Sequence, residues 1–584
     1  MKKITNKIVI IVIGIVILTQ NACKKDLNLV PTNQPTDATF WTSPDQFKSA
    51  ASLFYGYLPT FDYGASYLQP YNLEADYNSD FSGGISAYSE SSFTPPLTNA
   101  VYTNSYGQLR AINNLLEKAQ TYKGDAAGIK QYVAEAHFFR AFVYFRLLFY
   151  FGGVPLITST LTPASPALQA PRANRDDLVN FIIAELDAAS ANLLTEDKIA
   201  AADKGRISKT AALAFEGRVT LFEGTWNKFR NNAARANEML GKSVDESNQV
   251  MSSGQYQLFA PENGIAMGDS TYKYLFILEN QKSNPGGYTK ANNKEFIILN
   301  RYDYTLRPNG ALITHAGVGT PTSKLANLFL CSDGLPIDKS PLFQGYATKS
   351  SEFKNRDSRM KNLFRIPGNL YYDNSPNPRF ALDGTTTNNA GIAFDPVPTT
   401  TNTGYFNYKY RTERGIPDRS EGYDYPVLRY AEVLLNYAEA KFELDGQISD
   451  ADLNLSLNKI RTSQRTGLPA LTNSFVVGNG LDMRTEIRRE RSVELAWEGL
   501  RIFDLLRWKT AETEMKTSLL GINYSGTAYA SDSRWTPQAV LGTENGFLVI
   551  ESSSKRFFSD KNYLLPIPTQ EIAANPNLKQ NPGW

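Results

Sequence analysis

The stretch GIKQYVAEAHFFRAFVYFRLLFYF, residues 128–151, decides the fold class of this chain. From Phe138 onwards it is apolar on nearly every side of the helical wheel. A helix without a polar face must be enclosed by other elements, so this one belongs inside a helical bundle. Gly152, Gly153 and Pro155 follow it, a combination that ends helices. The stretch therefore predicts a buried central helix over 128–151.

Helical patterns on both sides of this stretch group into pairs. Ser43, followed by Pro44 and Gln46, is a helix start signal and predicts a helix to about Tyr57. Small residues stand where paired helices would approach closely, which is typical of tetratricopeptide-like units, although the spacing is not a clean 34-residue repeat. The further predicted helices cover 104–119, 174–194, 208–229, 427–444, 451–465 and 483–508, with a break near Gly499.

The region between the two helical groups has a different composition. Residues 255–426 are rich in Gly, Pro, Asn, Ser and Thr, with short strand-like runs such as 295–299. A loop-rich stretch of this length inside a large domain is usually functional or forms a small subdomain.

Composition and motif searches exclude several classes of function. Among 584 residues, 60 Lys and Arg balance 58 Asp and Glu, which leaves no basic excess for nucleic acid. Only His137, His315, Cys23 and Cys331 could serve as cysteine or histidine ligands, so a zinc site is nearly impossible to build. No HExxH or GxSxG motif occurs, and the acidic residues 486, 490 and 494 alternate with arginines as on a salt-bridged helix face. We therefore expect neither an enzyme nor a bound cofactor or metal.

The amino terminus reads as a targeting segment. Three lysines precede an apolar run of eleven residues from Ile8 to Leu18, which is too short to span a bilayer as a helix. The run fits a secretory signal peptide over residues 1–22. Ala22 and Cys23 resemble the end of a bacterial lipobox, so we expect cleavage before Cys23, acylation of Cys23 and a tether over 23–39. An ordinary signal peptide with an incidental cysteine is the alternative.

Several segments, in order along the chain, resemble the SusD/RagB family of Bacteroidetes outer-membrane lipoproteins. The run IRRER at 487–491, followed by ELAWEG at 494–499, looks like the best-known signature of that family. The other segments are 140–147 with 151–156, 205–212, 327–329 with 333–334, 355–359, 426–440, 564–568 and 575–584.

The resemblance implies a mainly α, SusD-like fold that binds a nutrient without catalysis. Residues 40–584 would form one domain, with a helical scaffold over about 40–250 and 427–510, a loop-rich ligand-binding region over about 255–426 and a C-terminal segment over 511–584. Such proteins lie at the cell surface, lipid-anchored to the outer membrane, and cover a SusC-like TonB-dependent barrel transporter. They pass it oligosaccharides, and in some cases peptides.

The ligand residues have to be sought from physical chemistry, since the shared motifs account for the scaffold. Sugar binding needs aromatic rings for the apolar sugar face, beside carboxylate or amide groups for the hydroxyls. The loop-like segment 63–88 is dense in both kinds of residue, and Tyr288 and Trp226 are further candidates. The predicted ligand-binding residues are Tyr67, Tyr71, Asp76, Tyr77, Asp80, Tyr88 and Tyr288.

Three other functions stay open at this point. The same scaffold would serve for peptides or another nutrient, and a helical scaffold that binds only protein is the second alternative. A glycoside hydrolase is the third, because two catalytic carboxylates cannot be singled out among 58 acidic residues.

Overall fold

The structure, a computed structural model, describes residues 40–61, 73–83, 93–260, 267–309, 320–371, 392–398, 401–411 and 421–584. The predicted signal peptide, Cys23 and the tether lie outside these ranges. Within them the chain is mainly α-helical with short strands, as predicted. The helices are α1 (Pro44–Leu53), α2 (Ala100–Thr121), α3 (Ala126–Phe151), α4 (Arg175–Asn192), α5 (Lys209–Lys228), α6 (Ala233–Ser252), α7 (Thr271–Phe276), α8 (Ser323–Leu328), α9 (Ser358–Leu363), α10 (Tyr430–Asp445), α11 (Asp450–Leu455), α12 (Leu457–Arg461), α13 (Asn473–Gly478), α14 (Met483–Glu494), α15 (Arg501–Arg507), α16 (Ala511–Glu514) and α17 (Thr569–Ala574). The strands are β1 (Phe296–Asn300), β2 (Leu370–Tyr371), β3 (Ile392–Ala393), β4 (Tyr425–Arg429), β5 (Leu519–Asn523), β6 (Thr543–Glu544) and β7 (Phe547–Glu551).

Helix α3 lies in the middle of the first helical group, as residues 128–151 predict. The Asp125 side chain caps it by accepting a hydrogen bond from the Ala127 backbone N–H at 3.0 Å. Every residue from Phe138 to Phe151 is buried. The helix ends at Gly152, whose φ of +70° is accessible to glycine at little cost.

The helices around α3 pack as neighbours along the chain: α2 and α4 lie against α3, and α5 lies along α6. Helix α6 was not among the predicted helices. Its buried face includes Ser243 and Ser247, which interrupt the apolar period that a sequence pattern needs. The serines fit because α5 and α6 approach closely: the Ser243 hydroxyl donates to the Gly217 carbonyl oxygen at 2.9 Å.

Two predicted helices of the second group differ from the structure. The helix expected at 427 begins at Tyr430, because residues 425–429 form β4 and pair antiparallel with β1. The helix expected over 451–465 is divided into α11 and α12 at Ser456, whose φ of −125° and ψ of −100° are not helical. The predicted break near Gly499 is confirmed, with α14 ending at Glu494 and α15 beginning at Arg501.

The described parts of the loop-rich region hold only short elements, α7 to α9 and β1 to β3. Pairing of β1 with β4 joins this region to the second helical group. The C-terminal segment contributes a small sheet in the order β5–β7–β6. In the ranges described, no helix combines the length and apolarity that a membrane span requires.

Candidate functional site

Segment 63–88, which we call the Tyr/Asp segment, is described in the structure at residues 73–83, and these pack against the turn between α14 and α15. The Asp76 carboxylate accepts hydrogen bonds from the backbone N–H groups of Gly499 at 3.1 Å and Arg501 at 3.0 Å. Asp76 is 0% exposed, and this burial raises the pKa of its carboxyl to about 7. Asp76 therefore fixes the turn that follows α14, the signature helix, which carries the run IRRER at 487–491.

Asp80 is also an interior residue. The Arg501 guanidinium donates to both of its carboxylate oxygens at 2.8 Å, and the Lys324 ammonium lies 2.9 Å from one of them. Burial opposes ionisation here, but these two cations hold the pKa of Asp80 well below its usual value. The prediction that Asp76 and Asp80 are ligand-binding residues is therefore corrected to a structural role, because both carboxylates are buried and bonded within the protein.

Tyr77 lies between these two acids and is half-buried. Its ring centroid is 5.8 Å from that of Trp497, at an interplanar angle of 60°. Trp497 is buried and adopts a φ of +60° in the turn after α14. The two buried acids and Trp497 thus hold one predicted ligand residue against the signature turn.

Tyr288 lies elsewhere, on the loop before β1, and is half-buried. Its ring meets Phe259 edge-on at 6.2 Å. Its backbone is held on both sides by the Asn284 amide, which accepts from the Tyr288 N–H at 2.9 Å and donates to its carbonyl oxygen at 2.7 Å. Tyr67, Tyr71 and Tyr88 lie outside the described residues.

Trp226, the remaining aromatic candidate, is a packing residue. It is enclosed by two guanidinium groups, with Arg175 at 4.0 Å and Arg230 at 3.4 Å from its ring centroid. Its buried position leaves little ring surface for a ligand.

A cluster of buried aromatic residues stands at the edge of the Tyr/Asp segment, and we call it the aromatic anchor. Phe61 is its centre and is 0% exposed. Its ring contacts the other members with centroid distances between 4.9 and 5.6 Å. The anchor consists of Phe61, Tyr302, Tyr410, Tyr423 and Tyr425.

A second, polar anchor joins three other points of the chain. The Gly83 N–H donates to the Thr320 carbonyl oxygen at 2.8 Å, and the Thr320 hydroxyl donates to the Asn402 side chain at 2.7 Å. Asn402 in turn donates to the Gly83 carbonyl oxygen at 3.3 Å. Residues 401–411 run from this polar anchor to Tyr410 in the aromatic anchor.

The two anchors were missed by sequence reasoning, although one signal was available. Tyrosines recur at 302–304, 405–410 and 423–425, in the same loop-rich composition that drew attention to 63–88. The pattern gave no indication that these tyrosines and Phe61 meet in one buried cluster.

Two concave features lie on the helical side of the described structure. One is a groove between α2, α3 and α4 that includes His137, whose Nδ1 lies 2.9 Å from a Glu185 carboxylate oxygen. Arg140 binds the same carboxylate through two hydrogen bonds of 2.7 Å. His137 is thus hydrogen-bonded within the bundle.

The other is a cleft of about 620 Å³ between the helical scaffold and the segment that carries β1. One wall comes from residues 196–205 and 254–256, and the other from residues 290–301 with Asp424. In the part of the chain that is described, no group of three His, Cys, Asp or Glu side chains could hold a metal ion. The cleft offers polar side chains for binding, together with the apolar side chains of Phe296 and Leu299.

Comparisons with known proteins agree with this architecture. A model described as the SusD family matches residues 276–584, and a model described as starch-binding and associating with the outer membrane matches residues 71–221. SusD-like protein P2 of Formosa agariphila is 23% identical over 520 residues, which cover 84% of this chain and 81% of that protein.

Solved structures share the fold along nearly the whole chain. A SusD-like carbohydrate binding protein from Bacteroides fragilis has a TM-score of 0.71 at 25% identity, covering 93% of this chain and 100% of that one. Another SusD-like protein of the same organism has a TM-score of 0.69 at 23% identity, covering 94% and 99%. The SusD family match at 276–584 spans more than half of the 584 residues. This chain belongs to the SusD family.

Proposed function

We propose that this protein is a cell-surface lipoprotein that binds an oligosaccharide and delivers it to a SusC-like TonB-dependent transporter. The observation that carries the proposal is the likeness in fold and sequence, over nearly the full chain, to a carbohydrate-binding relative. The family model that is described as starch-binding and associating with the outer membrane supports both the ligand class and the location.

The ligand face we propose is the one built on the Tyr/Asp segment. Tyr67, Tyr71, Tyr77 and Tyr88 supply the rings, since an aromatic face stacks on the apolar face of a sugar, and Tyr288, on the loop before β1, is a further ring that we propose for ligand binding. The anchors support this choice because they hold residues 61, 83, 302 and 320 in place through buried rings and hydrogen bonds. Asp76 and Asp80 act indirectly in this proposal, as the buried residues that position Tyr77.

The binding role we propose excludes catalysis. A hydrolase would need two carboxylates beside the bound sugar, and Asp76 and Asp80 are committed to protein groups. Incubating the protein with each glycan and measuring new reducing ends checks this point. Peptide capture by the same face is the second candidate, and a peptide library belongs in the same binding panel.

Calorimetry with a glycan panel tests the ligand face. We expect Tyr71→Ala/Tyr77→Ala to weaken binding about 30-fold, because each ring contributes about 1 kcal/mol beyond the area it buries. Tyr524→Ala, which removes a half-buried tyrosine at the end of β5, is the control and should leave the affinity unchanged. Equal affinities for the wild type and the double variant would remove the Tyr/Asp segment from the site.

A further inference from the structure

The cleft between the scaffold and the β1 segment has the form of a second binding site, and we call it the scaffold–strand cleft. Its volume of about 620 Å³ lies within the range of small-molecule sites. Its floor includes the partly exposed side chain of Leu299, and its rim is charged and polar. This combination of an apolar floor and convergent polar groups is what a specific ligand site requires.

Two carboxylates of the cleft are already paired with lysines. The Lys290 ammonium lies 2.7 Å from an Asp424 oxygen, and the Lys204 ammonium lies 3.0 Å from a Glu196 oxygen. These pairs neutralise most of the negative charge on the rim. Negative charge is therefore not what the cleft offers to a ligand.

Two amide side chains of the rim are fixed with their donor groups unused. The Gln255 side-chain oxygen accepts from the Thr210 hydroxyl at 3.0 Å, and the Asn293 side-chain oxygen accepts from the Glu295 N–H at 2.9 Å. Neither NH₂ group donates to any of the described residues. Oriented amide donors of this kind suit ligand hydroxyl or carboxylate oxygens.

Two cations on the strand side of the cleft complete the rim. No carboxylate within the described ranges lies within 4 Å of the Arg301 guanidinium or the Lys294 ammonium. Arg301 is held in place by a hydrogen bond of 2.5 Å to the Lys204 carbonyl oxygen, which uses one of its five N–H groups.

Gly205 allows Arg301 to lie across the opposite wall. A Cβ at this position would come within 2.5 Å of the Arg301 Cδ, and the φ of Gly205 is +96°. The lack of a side chain at Gly205 therefore leaves room for the aliphatic part of Arg301 at the cleft. The guanidinium N–H groups that do not bind Lys204 remain available to a ligand.

We propose that the scaffold–strand cleft binds the acidic sugar units of a uronic-acid oligosaccharide, with Arg301 and Lys294, at opposite ends of β1, each binding the carboxylate of a different sugar unit. Gln255 and Asn293 donate to hydroxyl oxygens, and the Asp424 carboxylate accepts from a hydroxyl. Arginine is suited to this role because its planar group binds a carboxylate through two parallel hydrogen bonds. This inference rests on the proposed function, since it names the class of glycan and adds a subsite separate from the Tyr/Asp segment.

The test measures binding of three trisaccharides to the full-length protein by calorimetry. They are trigalacturonate, its methyl ester, which keeps the shape and loses the charge, and maltotriose, which has no carboxylate. The variant is Arg301→Ala/Lys294→Ala. Lys282→Ala/Lys354→Ala removes the same charge from two exposed lysines outside the cleft and is the matched control. Thermal melting of each variant checks folding.

We expect trigalacturonate to bind at least tenfold more tightly than its ester. The Arg301→Ala/Lys294→Ala variant should lose at least tenfold in that affinity, and the control variant less than twofold. Arg301→Lys should retain part of the affinity, because it keeps the charge but loses the bidentate geometry.

The remaining outcomes contradict the inference in distinguishable ways. Binding of neutral glycans without binding of trigalacturonate would overturn the acidic class and leave the proposed function standing. Equal trigalacturonate affinity in the wild type and the double variant would overturn the cleft as its site. Failure to bind any glycan would overturn the proposed function together with this inference.

Discussion

Three arginines meet at the buried carboxylate of Glu494, at the end of the signature helix. Arg429 and Arg465 each lie 2.7 Å from one of its oxygens, and Arg359 lies 2.8 Å from the other. Burial alone would raise the pKa of this carboxyl, but the three cations hold it well below its usual value. Arg429 and Arg465 also bind Glu295, the residue before β1, at 2.7 Å. Glu494 therefore connects the signature helix to the segment that carries β1.

The first prediction compares Glu494 with Arg488 on the same helix. The Arg488 guanidinium carbon lies 4.5 Å from the centroid of the Trp508 ring. Its Nη2 is 3.8 Å from Oε1 of Glu443, which is long for an ion pair. We expect Glu494→Ala to lower the free energy of unfolding by about 3–5 kcal/mol, because it removes the carboxylate that three buried arginines share. Arg488→Ala should cost about 1–2 kcal/mol, since the side chain it removes is weakly paired.

Urea unfolding followed by circular dichroism measures both effects. Glycan specificity should be unchanged in both variants, because neither side chain belongs to the proposed ligand face or to the scaffold–strand cleft. Unchanged stability together with lost glycan binding in Glu494→Ala would contradict the structural role.

Among the helices and strands, α3 and α14 were predictable from sequence, whereas α6 and β4 were not. Helix α3 was predicted to within two residues at its start, because a helix with apolar residues on all sides has to be buried. Helix α6 was missed because it packs through serines and a close helix approach. The strand at 425–429 was read as helix, because a fully buried strand and a buried helix give the same apolar run.

The second prediction concerns the close approach of α5 and α6 at Gly224. A Cβ on Gly224 would meet the Leu240 side chain at 2.7 Å and the Leu240 backbone nitrogen at 3.0 Å. The backbone of α6 cannot rotate away, so we expect Gly224→Ala to destabilise the protein by about 1–3 kcal/mol. Thermal and urea unfolding check the value.

Gly241, in α6, is the matched control. Nothing lies within 4 Å of a Cβ built there, and its φ is not positive. Gly241→Ala should therefore stabilise the protein by about 0.5–1 kcal/mol through lower backbone entropy of the unfolded chain. If Gly224→Ala and Gly241→Ala changed the free energy of unfolding in the same direction, the close approach of α5 and α6 would not explain the effect of Gly224→Ala.

The third prediction concerns two carboxyl groups buried between α5 and α6. Glu216 is 1% exposed and Glu246 is 5% exposed, and the Thr220 hydroxyl donates to Glu246 at 2.8 Å. Burial and then the charge of Asp187 raise the pKa of Glu216 to about 7, while burial and then the charge of Glu216 raise that of Glu246 to about 9. Both values lie above those of the unfolded chain, so folding favours the protonated forms.

The sign of the pH dependence follows from this. Stability from these groups is fully present below the unfolded pKa of glutamic acid, about 4.3, and is lost as pH rises through about 7 to 9. We expect the melting temperature to fall between pH 6 and pH 9.5, and the fall to be smaller in Glu246→Gln. Glu238→Gln, an exposed residue of the same helix, should melt as the wild type does at each pH. A wild-type melting temperature that stays constant over this range would contradict the prediction.

At the scale of the whole molecule, the family motifs account for the scaffold, and the proposed ligand face is held by contacts between residues distant in sequence. The run at 487–499 and the run at 426–440 supply Glu494 and Arg429, which join helices to the β1 segment. The aromatic anchor joins position 61 with positions 302, 410, 423 and 425, which only tertiary packing brings together. The sequence singles out segment 63–88 by its composition, whereas the burial of Asp76 and Asp80 depends on Arg501 and the turn at Gly499, which the sequence does not reveal.

The last prediction concerns the attachment of the whole molecule to the membrane. The apolar run of eleven residues before Cys23 is too short to span a bilayer, so we expect stable attachment to come from acyl chains on Cys23. Each buried methylene contributes about 0.8 kcal/mol, and one chain alone holds a protein only reversibly.

We expect Cys23→Ala, expressed behind an ordinary cleavable signal peptide, to be recovered in the soluble fraction without labelled fatty acid. The wild type should resist an alkaline carbonate wash and carry the label. Glycan affinity should be the same in both proteins, because the tether lies outside both proposed binding sites. A Cys23→Ala protein that stays with the membranes would show that another segment anchors it.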